Sequence, residues 1–193
     1  MTTSLTDILV PSRPCGSAES RAPDASAAEL YSSSMALKPD VTVAAIVQRA
    51  DRFLLVEERS ARRIVLNQPA GHLESGETLL EAVVREALEE TAWDFQPEAL
   101  IGVYLWKNPA SGRAFLRVAY SGQVENYRAD RKLDRGILGT LWLTYEEMLE
   151  RHAQHRSPLV LRCVDDFLSG RRFPVDLVAQ LPMAELGRQA ISV

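Results

Sequence analysis

The chain is poor in thiols and carries no basic surplus. Cys15 and Cys163 are its only cysteines, far apart and without a C-x-x-C pair, which excludes both a disulfide framework and a thiolate zinc site. Three histidines leave little material for an imidazole metal centre. No apolar run approaches the roughly 18 residues that a membrane-spanning helix needs, and the start of the chain lacks a basic segment followed by a long hydrophobic one. Membrane insertion and secretion are therefore not expected, and a reducing cytoplasm is the expected compartment. Lys and Arg total 22 against 26 Asp and Glu, a net charge of -4, so nucleic acid is not expected as a partner. A phosphorylated ligand would need local help from a metal ion or an arginine.

What is present suits one globular core. Of the 193 residues 46% are hydrophobic and 25% charged, enough for one domain and too few for two. Residues 1–38, rich in Ser, Ala and Pro without periodicity, read as a flexible extension. The catalytic domain is placed at 39–178 and a tail at 179–193. Val41 to Gln48 and Arg52 to Glu58 read as a hairpin of β-branched strands, with further strands at 113–124 and 137–143. Thr144 with Glu147 has capping-box spacing for a helix to about His152, and Ser157-Pro158 opens a last helix that stops near Gly170.

The most informative run is GHLESGETLLEAVVREALEETAW, residues 71–93. Thr78 followed by Glu81 is a capping-box spacing and starts a helix, leaving Glu77 in the preceding loop. Glu86, Glu89 and Glu90 then share one helical face. Like charges at that spacing cost roughly 0.2–0.5 kcal/mol per pair, so a cation should compensate them. Hard carboxylate oxygens suit Mg²⁺ or Mn²⁺. The helical wheel puts Leu80, Val84, Ala87, Leu88 and Thr91 on the opposite, buried side, and Arg85 is spaced to pair with Glu81 and Glu89.

The pattern of Gly71, Glu77, Arg85-Glu86 and Glu89-Glu90 resembles the Nudix box. The resemblance extends over residues 39–178 through PDVTVAAIV, LNQPAGHLE, FLRVAY, LWLTYEEML and RSPLV, which resemble the NudJ-type phosphatases. It implies an α/β/α sandwich with a mixed β-sheet. It also implies Mg²⁺-dependent cleavage of phosphoanhydrides in thiamine pyrophosphate, hydroxymethylpyrimidine pyrophosphate and nucleoside di- and triphosphates, with release of orthophosphate. Nudix pyrophosphatases of ADP-ribose or nucleotide sugars are the alternative within the class, and a non-catalytic nucleotide-sensing module is the alternative outside it. On the same resemblance, Glu86, Glu89, Glu90 and the Gly71 carbonyl hold metal and Arg85 orients the ligands. Glu89 is the candidate base, with Asp134 as an acid outside the box.

His72, Arg117 and Trp106 are the candidate substrate contacts, with Tyr104 a further aromatic that could stack on a ring. A small-molecule partner and a monomer or homodimer are expected. One position departs from the pattern: Ala92 stands where the box has glycine, and a local adjustment of that turn is expected.

Overall fold

In the computed structural model the described residues are 36–60 and 63–180, and those from 38 to 180 form one compact unit. The expected extension and tail fall almost wholly outside them. Seven strands form a mixed sheet: β1 (Asp40–Arg49), β2 (Arg52–Ser60), β3 (Arg63–Asn67), β4 (Ala70–His72), β5 (Asp94–Lys107), β6 (Ala114–Glu125) and β7 (Ile137–Thr144). Its main path runs β3-β2-β1-β6-β5, with β4 joined to β1 and β7 to β2. The pair β1–β6 is parallel and the other pairings are antiparallel. Among the described residues three α-helices follow the strands in sequence or separate them: α1 (Leu79–Thr91), α2 (Tyr145–Glu150) and α3 (Leu159–Leu168).

Successive side chains of a strand face opposite sides, and β1 shows what that does here. Val43, Ala45 and Val47 enter one apolar cluster with Leu79, Ala82, Val83 and Ala87 of α1. Ala44 and Ile46 enter a second, with Val160, Cys163 and Val164 of α3. A parallel central strand covered by helices on both faces reads as a continuous apolar run, which is why VTVAAIV has no polar alternation. The layers are therefore α/β/α, as the resemblance implies.

Several local readings need correction. The tight β1–β2 connection places Ala50 at φ 54. The sequence does not mark off strands β3, β4 and β5; β4, paired with β1, lies against α1, whereas β3 pairs with β2 and sends Leu66 to the α3 side. Helix α2 stops at Glu150, with a single 3₁₀ turn at His152–Gln154 after it. The turn after α1 does not adjust: Ala92 itself adopts the left-handed conformation, φ 59, and its N–H closes on the Leu88 carbonyl. The strain of about 1–2 kcal/mol is partly offset by burial of its methyl group, worth about 0.8 kcal/mol.

The larger correction concerns α1. Its buried residues are Leu79, Ala82, Val83, Glu86, Ala87, Glu90 and Thr91. They form one helical stripe, so two of the glutamates lie on the buried side and not opposite it. Leu80, Val84 and Leu88, expected in the core, are only partly buried and line a shallow apolar groove with Glu81, Arg85, Glu89 and Arg131. Ala82 and Ala87 are small enough to seat the helix close to the sheet, which carries Glu86 and Glu90 down to β4.

Candidate functional site

Helix α1 starts as the sequence requires. The Thr78 hydroxyl accepts from the Glu81 N–H at 3.1 Å, and the Glu81 carboxylate accepts from the Thr78 N–H at 2.7 Å. That reciprocal cap occupies Glu81, so the expected Glu81–Arg85 pair gives way to another. Arg85 donates to Glu77 at 2.7 and 2.9 Å, to Glu86 at 2.8 Å, to Glu89 at 3.0 Å and to the His72 carbonyl at 3.0 Å. One guanidinium thus ties the loop before the helix, the strand β4 and two acids of the box. These contacts, Glu77 foremost, push the Arg85 pKa up, and Arg85 in turn holds Glu77 below the usual carboxylate range.

Beside this hub lies a cleft of about 310 Å³, walled by Thr42 of β1, Glu58 of β2, Asn67, β4, Glu86 and Glu90. Trp106, Phe115, Arg117 and the Arg156-Ser157 segment complete it. The Ala70 N–H donates to Glu90 Oε2 at 2.8 Å. Gly71 lies against the Glu86 carboxylate so closely that a Cβ at residue 71 would overlap it, which is the physical reason for glycine there. Burial raises the pKa of Glu86 against the pull of Arg85. Burial also pushes Glu90 up to about 8, helped by the charges of Glu86, Glu58 and Asp134 and opposed by the Ala70 N–H.

Two carboxylates buried side by side, only one of them paired with an arginine, fit a hard cation,. Among the described residues no three acidic, histidine or cysteine side chains converge as a ready ligand set. Arg85 takes Glu86 Oε1 and Glu89 Oε2, and Ala70 takes Glu90 Oε2. The donors left suit an ion held by one or two carboxylates and completed by water and ligand phosphate, the usual habit of Mg²⁺.

Of the residues expected from sequence, Gly71, His72, Glu86, Glu90, Trp106 and Arg117 meet in this cleft. Glu89 does not line it: it faces Arg85 and the apolar groove. Tyr104 is also elsewhere, donating to Asp166 at 2.9 Å. Asp134 donates its backbone N–H to the Glu89 carbonyl at 2.9 Å, which brings the outside acid to the box helix. Arg117 is not an exposed strand arginine but is 7% exposed, on the cleft floor. Sequence reasoning missed Thr42, Glu58, Asn67, Phe115, Arg156 and Ser157. The stretches LNQPAGHLE, FLRVAY and RSPLV contained four of them, without a spacing that singled them out.

The buried Glu90 gives the metal-free protein a pH-dependent stability. A carboxyl whose folded pKa lies above its unfolded value of 4.5 favours the fold while protonated, and that advantage is lost as pH rises toward about 8. In EDTA the melting temperature should fall between pH 6 and pH 9 by several degrees, from about 2 kcal/mol. Glu90→Gln should flatten the decline; equal slopes in calorimetric melts of both proteins would contradict this account.

A mixed sheet between helices, with the acids of one capped helix set beside a glycine strand and an aromatic cleft, defines the architecture of a nucleotide-type hydrolase. The NUDIX domain profile matches residues 38–163, and the chain belongs to the Nudix hydrolase family, enzymes that act on pyrophosphate bonds and generally use divalent metal ions. It is 38% identical over 141 residues to the Phosphatase NudJ of Escherichia coli K12, covering 73% of this chain and 91% of that protein. A NUDIX hydrolase structure from Nitrosomonas europaea is 46% identical, with a TM-score of 0.73 over 75% of this chain and 98% of that one. An ADP-ribose pyrophosphatase of Streptococcus suis, 14% identical with a TM-score of 0.53 over 69% and 93% of the two chains, shares the fold.

Proposed function

We propose that this enzyme is a Mg²⁺-dependent phosphatase of small pyrophosphate compounds, with residues 39–178 as its catalytic domain. Thiamine pyrophosphate, hydroxymethylpyrimidine pyrophosphate and nucleoside di- and triphosphates are the substrates in view, and orthophosphate is the product. The observation that carries the reading is the meeting of Glu86 and Glu90 with Gly71 at one end of a cleft that also holds Trp106, Phe115 and Arg117. The cleft volume of about 310 Å³ sits at the small end of ligand pockets, roughly 300–1,000 Å³, which suits one heteroaromatic ring and a short phosphate chain. The 38% identity to a protein named as a phosphatase favours orthophosphate release over other cleavages.

Glu86, Glu90 and the Gly71 carbonyl, which line the cleft, are the residues that would hold the ion; Glu89, expected beside them, faces Arg85 and the apolar groove instead. A divalent ion bound there would neutralise phosphate charge and lower the pKa of a water molecule. Arg85 fixes the carboxylates through its contacts to Glu77, Glu86 and Glu89. Trp106 stacks on Phe115 with ring centroids 5.9 Å apart and offers an aromatic face to a substrate ring, while His72 and Arg117 meet its phosphates. Glu89 and Asp134 are the two acids for the proton from water. The one whose amide variant loses the acidic limb of the pH–rate profile is the base. Cys163 is a buried free thiol, in keeping with a reducing cytoplasm.

A phosphate-release assay over a panel of pyrophosphate compounds, with Mg²⁺ and with EDTA, tests the reading. Mg²⁺-stimulated orthophosphate release is expected. Release of a nucleoside monophosphate with a sugar phosphate would make it a nucleotide-sugar type pyrophosphatase, and no turnover on any compound would leave a binding module.

A further inference from the structure

Arg117 is a cation that the fold leaves without a carboxylate partner, with only the buried Cys163 thiol and neutral amides beside it. It is 7% exposed, and no carboxylate lies within salt-bridge distance of it among the described residues. Its Nη1 donates to Gln68 Oε1 at 3.2 Å and its Nη2 to Asn67 Oδ1 at 3.3 Å, both neutral amides at long range. Its Nε has no partner. Burying a charge without a counter-ion costs several kcal/mol or more, so a chain that keeps a guanidinium here needs an anion that arrives with a ligand. Gln68 cannot turn away to accommodate another arrangement, because its Nε2 is held by the Val160 carbonyl at 2.6 Å.

The sheet register says which part of a ligand meets it. Thr42 of β1 is paired with His72 of β4 on one side and with Arg117 of β6 on the other. Arg117 therefore stands two strand spacings, roughly 10 Å, from the β4 strand that holds Glu90. Phe115, two residues earlier on β6, points the same way, and it is the cross-strand partner of Trp106. Arg117 lies between the acidic end of the cleft and its aromatic end.

We propose that Arg117 is the counter-ion of the leaving group, binding the inner phosphoryl of a diphosphate whose ring stacks at Trp106 and Phe115. This rests on the phosphatase reading above. The water oxygen forms its bond to the terminal phosphorus, and the bond from that phosphorus to the bridging oxygen breaks. The electron pair stays on the bridging oxygen, now part of an organic monophosphate, where Arg117 meets the developing charge. The water proton passes to the carboxylate base. A guanidinium fixed at the inner phosphate makes the organic monophosphate the better leaving group, and orthophosphate carries the oxygen from solvent.

Calorimetric titration in EDTA with uridine 5′-monophosphate, and with uridine as the ring alone, separates this site from the metal. Wild type should bind the monophosphate without metal, and Arg117→Met should weaken that binding by about tenfold or more, as for a charge-assisted hydrogen bond. Uridine should bind both proteins equally, and the melting temperature of Arg117→Met should not fall, because a buried charge without a carboxylate partner has been removed. Equal monophosphate affinity in the two proteins, no metal-free binding by wild type, or loss of uridine binding together with a lower melting temperature would each overturn the proposal. Should Arg117→Met fail to fold, Arg117→Lys keeps the charge without the planar fork, and unchanged monophosphate binding in it would overturn the proposal as well.

Turnover of uridine diphosphate in ¹⁸O-water should label orthophosphate; label in the uridine monophosphate overturns the leaving-group role. Wild type that binds the monophosphate through Arg117 yet hydrolyses no pyrophosphate would sink the hydrolytic reading and leave the anion site standing.

Discussion

Glu86→Gln and Glu90→Gln should each lower turnover roughly a thousandfold or more while leaving the protein folded. The size follows from removing a fixed charge at the centre where phosphate charge must be met, a deletion that costs about 10²–10³ even for a single neutral donor. The two variants should differ in stability. Glu90 is buried with little to offset its charge, so its amide should melt at or above wild type in EDTA,. Glu86 accepts from Arg85 at 2.8 Å, and its amide forfeits part of that ion pair, so a small loss is expected. Divalent-ion titration by calorimetry should show weakened uptake in both. Near wild-type rates in both would remove the carboxylates from the proposed metal site, and a collapsed fold in both would make their role structural.

Gly71→Ala is the second large effect, and it acts without touching charge. The added Cβ would occupy the place of the Glu86 carboxylate, which cannot move freely because Arg85 holds it and is itself held by Glu77 and Glu89. Displacing a catalytic group by about 1 Å costs on the order of 100-fold in rate, and that is the expected loss in kcat. Stability should change by no more than about 1–2 kcal/mol, since the backbone keeps its β4–β1 pairing,. Wild-type kcat in a folded Gly71→Ala protein would mean that Glu86 can leave its position without consequence.

The box helix shows how far sequence goes and where it stops. Its capping box, its start at Leu79 and the grouping of Glu86 and Glu90 are local properties, legible from spacing because each depends on residues within one or two turns,. The wheel placed Ala87 and Thr91 correctly in the core but misjudged the rest of the buried face. The rule that acids stay outside moved the stripe to Leu80, Val84 and Leu88, whereas the helix buries Glu86 and Glu90 against β4 and leaves those three at a groove. A functional site is where such a rule fails, since the cost of burying acid is offset by what the acid binds.

Arg117 was legible as a candidate and illegible as a buried one. On a strand with bulky neighbours its spacing fits either face, and only pairing with β1 and β5 and the cover of α3 decides that it lies inside.

By itself the sequence determined strands β1, β2, β6 and β7, the caps of α1 and α2, the acid cluster and the family of hydrolases to which the chain belongs, because each is written in short-range periodicity or fixed offsets. The tertiary structure alone decided that Glu58, Asn67, Phe115, Arg156 and Ser157 share a cleft with the box. Those residues come from separate strands and loops distant along the chain, and strand register and helix packing, which bring them together, are set by the whole core and not by any local run.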